Sequence, residues 1–167
     1  MHLLRVRRQL LSINLPDGYR LRVLDEVDST NAEAARIVAQ LAGPEWVLAR
    51  RQTNGRGRRG RAWSDPAGNF AASLVLFPQH PPDQIALRSF VAALALFDAL
   101  VATTGRSDTL ALKWPNDVLL NGGKVAGILL ETTALSGGGF ALTIGFGVNL
   151  VHTPQSRGFV ARAMPPV

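Results

Sequence analysis

Apolar and polar positions alternate over residues 20–27 (RLRVLDEV), the period of a half-buried β-strand. The period then changes. Asp28, Ser29 and Thr30 precede a run in which Ala34, Ile37, Val38 and Leu41 recur at helical spacing, so a helix is predicted over 30–42. Thr30-Asn31-Ala32-Glu33 has the spacing of a capping box at its start, and Gly43-Pro44 stops it. WVLAR at 46–50 and FAASLVLF at 70–77 read as strands, and Pro78 to Pro82 as a turn. A long helix is predicted over about 84–103, with Ile85, Phe90, Val91, Leu94, Phe97, Leu100 and Val101 facing inward. Two short strands follow, LALKW and DVLLN. Asn121-Gly122 marks a tight hairpin turn from which KVAGILLE returns, and FALTIGFGVNL is a further strand after the Gly137–Gly139 turn. There is no internal repeat. Hairpin strands with two helices predict an α+β fold, a mixed or largely antiparallel sheet flanked by helices.

The chain has 167 residues, which suits one domain over 1–167. No apolar run approaches the ~20 residues that cross a bilayer. Arg5, Arg7 and Arg8 near the N-terminus are not followed by the apolar run of a secretory signal. The expectation is a cytoplasmic protein without a membrane partner. The absence of cysteine removes disulfides, zinc–thiolate sites and cysteine nucleophiles, and His2, His80 and His152 lack metal-ligand spacing. The net charge of +6 suggests nucleic acid until it is located. Arg50, Arg51, Arg56, Arg58, Arg59 and Arg61 lie in one stretch without an acid. Outside it the remaining 12 basic residues match the 12 acidic ones. The excess is one loop rather than a basic surface, so a nucleic-acid partner is not expected.

That loop reads Gly55-Arg56-Gly57-Arg58-Arg59-Gly60-Arg61. It fits G-x-G-x-x-G, but Trp63, Ser64, Asp65 and Pro66 follow it instead of the helix a dinucleotide fingerprint must open. Alternating glycine and arginine can gather guanidiniums and backbone N–H groups around one polyanion. Without an anion, mutual repulsion and backbone entropy predict a loop with no structure of its own. Its bland reading is a solvated arginine tract. The second segment, Lys113-Trp114-Pro115-Asn116-Asp117, precedes the hairpin that carries Lys124. The Asn121-Gly122 turn predicts that Asp117 and Lys124 share one end or face of that ribbon. A carboxylate there can hold Mg²⁺, and an ammonium can bridge a carboxylate and a phosphate. Gly127 in the return strand marks a close approach of a ligand to the backbone. The bland reading of the pair is a surface contact worth ~0–1 kcal/mol.

Together, GRGRRGRAW at 55–63, KWPND at 113–117, KVAG at 124–127 and GFGVNL at 145–150, with DSTN at 28–31, resemble the catalytic domain of the biotin–protein ligases over about residues 20–150. The resemblance implies a fold like the catalytic domain of class II aminoacyl-tRNA synthetases. It also implies a two-step activity: biotin and ATP, with Mg²⁺, give biotinyl-AMP, and a lysine of a biotin carrier protein, such as that of acetyl-CoA carboxylase, then takes the biotin. By resemblance, Ser29, Thr30, Asn31, Gln52, Gly57 and Gly127 meet biotin. Arg56 and Arg58 close over it, and Lys124 is the catalytic lysine. Arg58, Arg59, Gly60, Arg61, Trp63, Asn116, Lys124 and Asn149 belong to the nucleotide, with Trp63 packing on adenine, and Asp117 to Mg²⁺. The resemblance leaves a homodimer open.

Against the family pattern, no winged-helix, DNA-binding segment is expected ahead of residue 20, and so no repressor role. Residues 151–167 look foreign to the fold, where relatives complete the domain and add a small β domain. A fragment, a natural truncation and a frame shift are the three readings of that tail. The competing functions are an inactive biotin-binding remnant, a lipoate or octanoate ligase-transferase of similar fold, and an RNA-binding arginine tract.

Overall fold

In the computed structural model, residues 14–79, 84–85 and 87–152 are described. The strands run β1 (Arg20–Leu24), β2 (Glu45–Ala49), β3 (Phe70–Leu76), β4 (Leu110–Lys113), β5 (Asp117–Leu120), β6 (Gly123–Ala134) and β7 (Phe140–Val148), with helices α1 (Thr30–Ile37) and α2 (Arg88–Thr104). They form one seven-stranded sheet in the order β1-β2-β3-β7-β6-β5-β4. Only β1 and β2 run parallel; every other pair is antiparallel. The expected mixed sheet with helices is therefore what forms.

The pleat sorts side chains to two faces. On β7, Ala141 turns to α1, with Ala34, Ile37, Val47 and Val75, while Leu142, Ile144 and Val148 turn to α2. The first strand stops at Leu24, short of the expected 27. Past it, only Val27 bridges to Gln52. The first helix is α-helical to Ile37 and tightens to a 3-10 turn over Val38–Gln40. Its cap is Ser29, whose Oγ accepts from the Ala32 N–H, so the expected capping box at Thr30 is not formed. Glu33 pairs with Arg36 instead. Arg36 also hydrogen-bonds Asp28 and holds its carboxyl down at about 2. The inward face of α2 differs from the expected one. Ala92, Ala93 and Leu100 are buried, with Phe97 and Val101 beside them, whereas Phe90, Val91 and Leu94 are exposed. Small alanines let the helix lie close on the sheet, and α2 is apolar on nearly every side, which hides the true stripe.

Asn121 (φ 48°) and Gly122 (φ 77°) make the β5–β6 turn with two left-handed residues, as the Asn-Gly pair predicts. At the far end of β7, the buried Asn69 side chain closes the structure. Its Oδ1 accepts from the N–H groups of Leu150, Val151 and His152, each at 3.1 Å, and its Nδ2 donates to the His152 carbonyl at 2.9 Å. Asn69→Ala is expected to cost about 2 kcal/mol, measured by urea unfolding. The loss stays moderate because 150–152 lies near the surface, where water replaces part of what is lost. Among the described residues, no helix is long and apolar enough to cross a membrane.

Candidate active site

Three cross-strand rows pave the α1 face of the sheet. Asp117 faces Gly127, which faces Gly147; Leu129 faces Gly145, which faces Ser73; Glu131 faces Thr143. Above them opens a cavity of about 620 Å³, bounded by the arginine loop, the Trp114–Asp117 segment and the start of α1.

Asp117 and Lys124 meet as their hairpin predicts. Lys124 Nζ lies 2.7 Å from Asp117 Oδ1, outside the alignment of a hydrogen bond, so charge holds the pair. The lysine reaches it by running over Gly127: a Cβ there would sit 3.0 Å from Nζ. Glycine at 127 is thus a space requirement, but the occupant of the space is this chain's own lysine rather than the ligand the sequence suggests. Nζ also lies 5.5 Å from the Trp63 ring centre. Trp63 covers the glycine floor, so a Cβ on Gly147 would be 2.5 Å from its Cε2, and the buried indole Nε1 has no partner. Trp114 and Pro115 are joined by a cis bond. Asn116 is tied down on both sides: its Nδ2 donates to the Ile128 carbonyl at 2.7 Å, and its backbone carbonyl accepts the Ile128 N–H at 2.9 Å. Its Oδ1 accepts from Arg58 Nη1 at 3.1 Å.

The arginine loop is a small hairpin, not the unstructured loop expected. Arg56 and Ala62 form an antiparallel bridge, and the Gly57 N–H donates to the Arg61 carbonyl at 2.7 Å. A 3-10 turn over Arg58–Gly60 forms its tip, with Arg59 and Gly60 both left-handed. Arg58, Arg59 and Arg61 are exposed.

At the other end of the cavity, the Thr30 N–H and hydroxyl both donate to Gln52 Oε1, at 2.8 and 3.1 Å. The Gln52 N–H donates to Asp65 Oδ2 at 3.2 Å, while burial raises the Asp65 carboxyl above its ordinary value against that bond. Ser73 donates to Asn31 Oδ1, and the Asn31 amide donates to Glu131 Oε2 at 2.8 Å. Thr30, Asn31 and Ser73 are all buried. Thr30 and Gln52 are therefore brought together at this end of the cavity. Ser29 lines the same end while capping the helix. Asn149 is almost wholly buried, and its Nδ2 points to the Lys124 carbonyl at 3.4 Å; it braces the strand carrying that lysine. Ser73, Asp65, Glu131, Gly145 and Gly147 escape sequence reasoning. Only the glycines left a signal, as the repeated gaps in GFGVNL.

Mg²⁺ binds through one or two carboxylates together with phosphate oxygens and water. Asp117 suits that role for an ion arriving with a polyphosphate. Among the described residues no cluster of three or more His, Asp or Glu could cage a metal alone.

Residues 23–149 match a family model described as the biotin/lipoate A/B protein ligase family. The chain is 56% identical to a biotin–[acetyl-CoA-carboxylase] ligase of Paracoccus denitrificans, over 87% of this chain and 60% of that protein. It is 36% identical to the bifunctional ligase/repressor BirA of Escherichia coli, over 80% of this chain and 41% of that protein. The chain therefore spans less than two thirds of the length of these relatives. A biotin protein ligase of Leishmania major, solved with biotinyl-5-AMP, superposes with a TM-score of 0.76 at 28% identity, covering 89% of this chain and 64% of that one. One of Aquifex aeolicus, solved with biotin and ATP, gives 0.70 at 33% identity, covering 87% and 58%.

Proposed function

This chain belongs to the biotin/lipoate A/B protein ligase family, and from that premise we propose that it is a catalytic domain that joins biotin to ATP as biotinyl-AMP and passes the biotin to a lysine of a carrier protein. The carrying observation is the Lys124–Asp117 pair on a glycine floor beneath an arginine hairpin. The 56% identity to an acetyl-CoA-carboxylase biotin ligase points to biotin over lipoate, and to a biotin carrier domain as the acceptor.

Biotin's ring system lies toward Ser29, Thr30, Asn31 and Gln52, with Gly57 above and Gly127 below, and its carboxylate reaches Lys124. One carboxylate oxygen attacks the α-phosphorus of ATP. The bond to the β-phosphate oxygen breaks, and pyrophosphate leaves. Two anions must approach, and Lys124, with Arg56 and Arg58 once the hairpin has closed, offsets their repulsion with charges in place before the reaction. Arg59, Gly60 and Arg61 at the hairpin tip and Asn116 face the phosphates. Asn149 holds the Lys124 backbone, and Trp63 offers a stacking surface to adenine. Asp117 would hold Mg²⁺, which supplies charge neutralisation on the phosphates. In the second step the neutral carrier amine attacks the acyl carbon, AMP departs, and an amide forms. Closure of the hairpin shields the mixed anhydride from water. A cytoplasmic setting and a homodimer fit this activity, and residues 1–167 are read as one domain.

The test is mass spectrometry of the purified chain incubated with Mg·ATP and biotin, lipoate or octanoate. Biotinyl-AMP alone is the expected product. Biotin binding without adenylate would identify an inactive remnant, and an adenylate of lipoate or octanoate would move the chain to the other branch of its family.

A further inference from the structure

The arginine hairpin carries four cations between Arg56 and Arg61 and no acid of its own. Among the described residues, the one carboxylate paired with any of them is Glu131, whose Oε2 lies 3.3 Å from Arg56 Nη2. An exposed Glu–Arg pair is ordinarily worth little, since two mobile side chains must be held in register. Here one partner is already held. The same Oε2 accepts the Asn31 amide at 2.8 Å, a charge-assisted bond from a buried side chain. That amide is itself fixed by Ser73 and lies against Gly145. Much of the ordering cost of the Glu131 side is thereby met inside the protein. Arg56 sits at the base of the hairpin, in the bridge with Ala62, so what holds Arg56 orients everything beyond it.

We propose that Glu131 is the positioning residue for the arginine hairpin, tying Arg56 to the buried Asn31–Ser73 pair, whose serine hydroxyl lies 2.8 Å from Thr30 Oγ1, so that the acid-binding end of the cavity and the anion-binding loop move as one unit. Glu131 does not line the cavity and touches no reacting group; it acts through Arg56. This inference rests on the proposed activity for what the loop closes over, but not for the contact itself.

Limited trypsin digestion of the ligand-free chain, with cuts mapped by mass spectrometry, reads the tie without any turnover. Cleavage after Arg58, Arg59 and Arg61 is followed in wild type, Glu131→Gln, Arg56→Gln and the double variant, with cleavage after Arg106 as the reference for general loosening. Glutamine keeps an acceptor for Asn31 and removes the charge that holds Arg56. Each single variant is expected to speed the three hairpin cuts about tenfold with the Arg106 cut unchanged, and the double variant to go no faster than either single. Three results would overturn the idea: hairpin cuts at the wild-type rate in Glu131→Gln, multiplied effects in the double variant, or an equal rise after Arg106. Because no biotin or ATP is present, a failed adenylation assay leaves this test intact.

Discussion

Lys124→Ala is expected to lower biotinyl-AMP formation about 10³-fold, a loss of roughly 4 kcal/mol of transition-state stabilisation, while the protein still folds and still binds biotin. The argument starts from position. Nζ sits over Gly127 beside Asp117 and 5.5 Å from the Trp63 ring centre, in a cavity partly closed to water. A cation fixed there meets the reacting carboxylate and phosphate without having to be oriented during the reaction. Its contribution grows as negative charge collects on the phosphorus oxygens, so kcat should fall more than the KM for biotin rises. The ground-state cost to the fold is moderate, about 1–3 kcal/mol, because Asp117 Oδ1 is buried and loses its counter-charge. Lys124→Arg should not rescue. Glycine 127 leaves a channel for a slender ammonium stem, and a planar guanidinium is wider and places its charge elsewhere. Single-turnover kinetics on folded protein, checked by circular dichroism, reads the split. A variant within tenfold of wild type would remove Lys124 from the chemistry.

What the amino-acid sequence made legible follows from how local each feature is. Asp117 and Lys124 lie on adjacent strands joined by Asn121-Gly122, whose left-handed pair dictates the turn, so their meeting could be read directly. The bulge between Val118 and Leu119 shifts the register without separating them. Glu131 and Asn31 are 100 residues apart, and nothing in either neighbourhood announces the other. Their contact exists because β6 and β7 are long and β3 lies on the far side of β7, which sets Glu131 and Ser73 on opposite flanks of Gly145. The cap falls one residue before the position that the capping-box spacing predicts, for a related reason. Serine is the somewhat better cap of the two, and the Thr30 hydroxyl is spent on Gln52, so Ser29 takes the role. The inner face of α2 is hidden in the sequence because size, not hydrophobicity, separates Ala92 and Ala93 from Val91 and Leu94.

Gly145→Ala is expected to destabilise the fold by about 3 kcal/mol and to weaken biotin binding at least tenfold. A Cβ at this position would run into the Asn31 amide. Neither side can yield. Gly145 is hydrogen-bonded within the central strand between β3 and β6, and the Asn31 side chain is buried and engaged by both Ser73 and Glu131. Displacing the amide strips a buried carboxamide of its partners and carries Thr30, the preceding residue, away from Gln52. Gly137→Ala is the matched control, since a Cβ there meets nothing and its backbone is not left-handed; it should be neutral or slightly stabilising. The mechanism makes a sharper demand through Asn31→Ala. Alone, that substitution removes one partner from Ser73 and one from Glu131 and also destabilises. Combined with Gly145→Ala, it removes the group the new methyl strikes, so the double variant should be about as stable as Asn31→Ala alone. Thermal unfolding of the four proteins decides it: if the two losses simply add, the overlap is not what makes glycine necessary at 145.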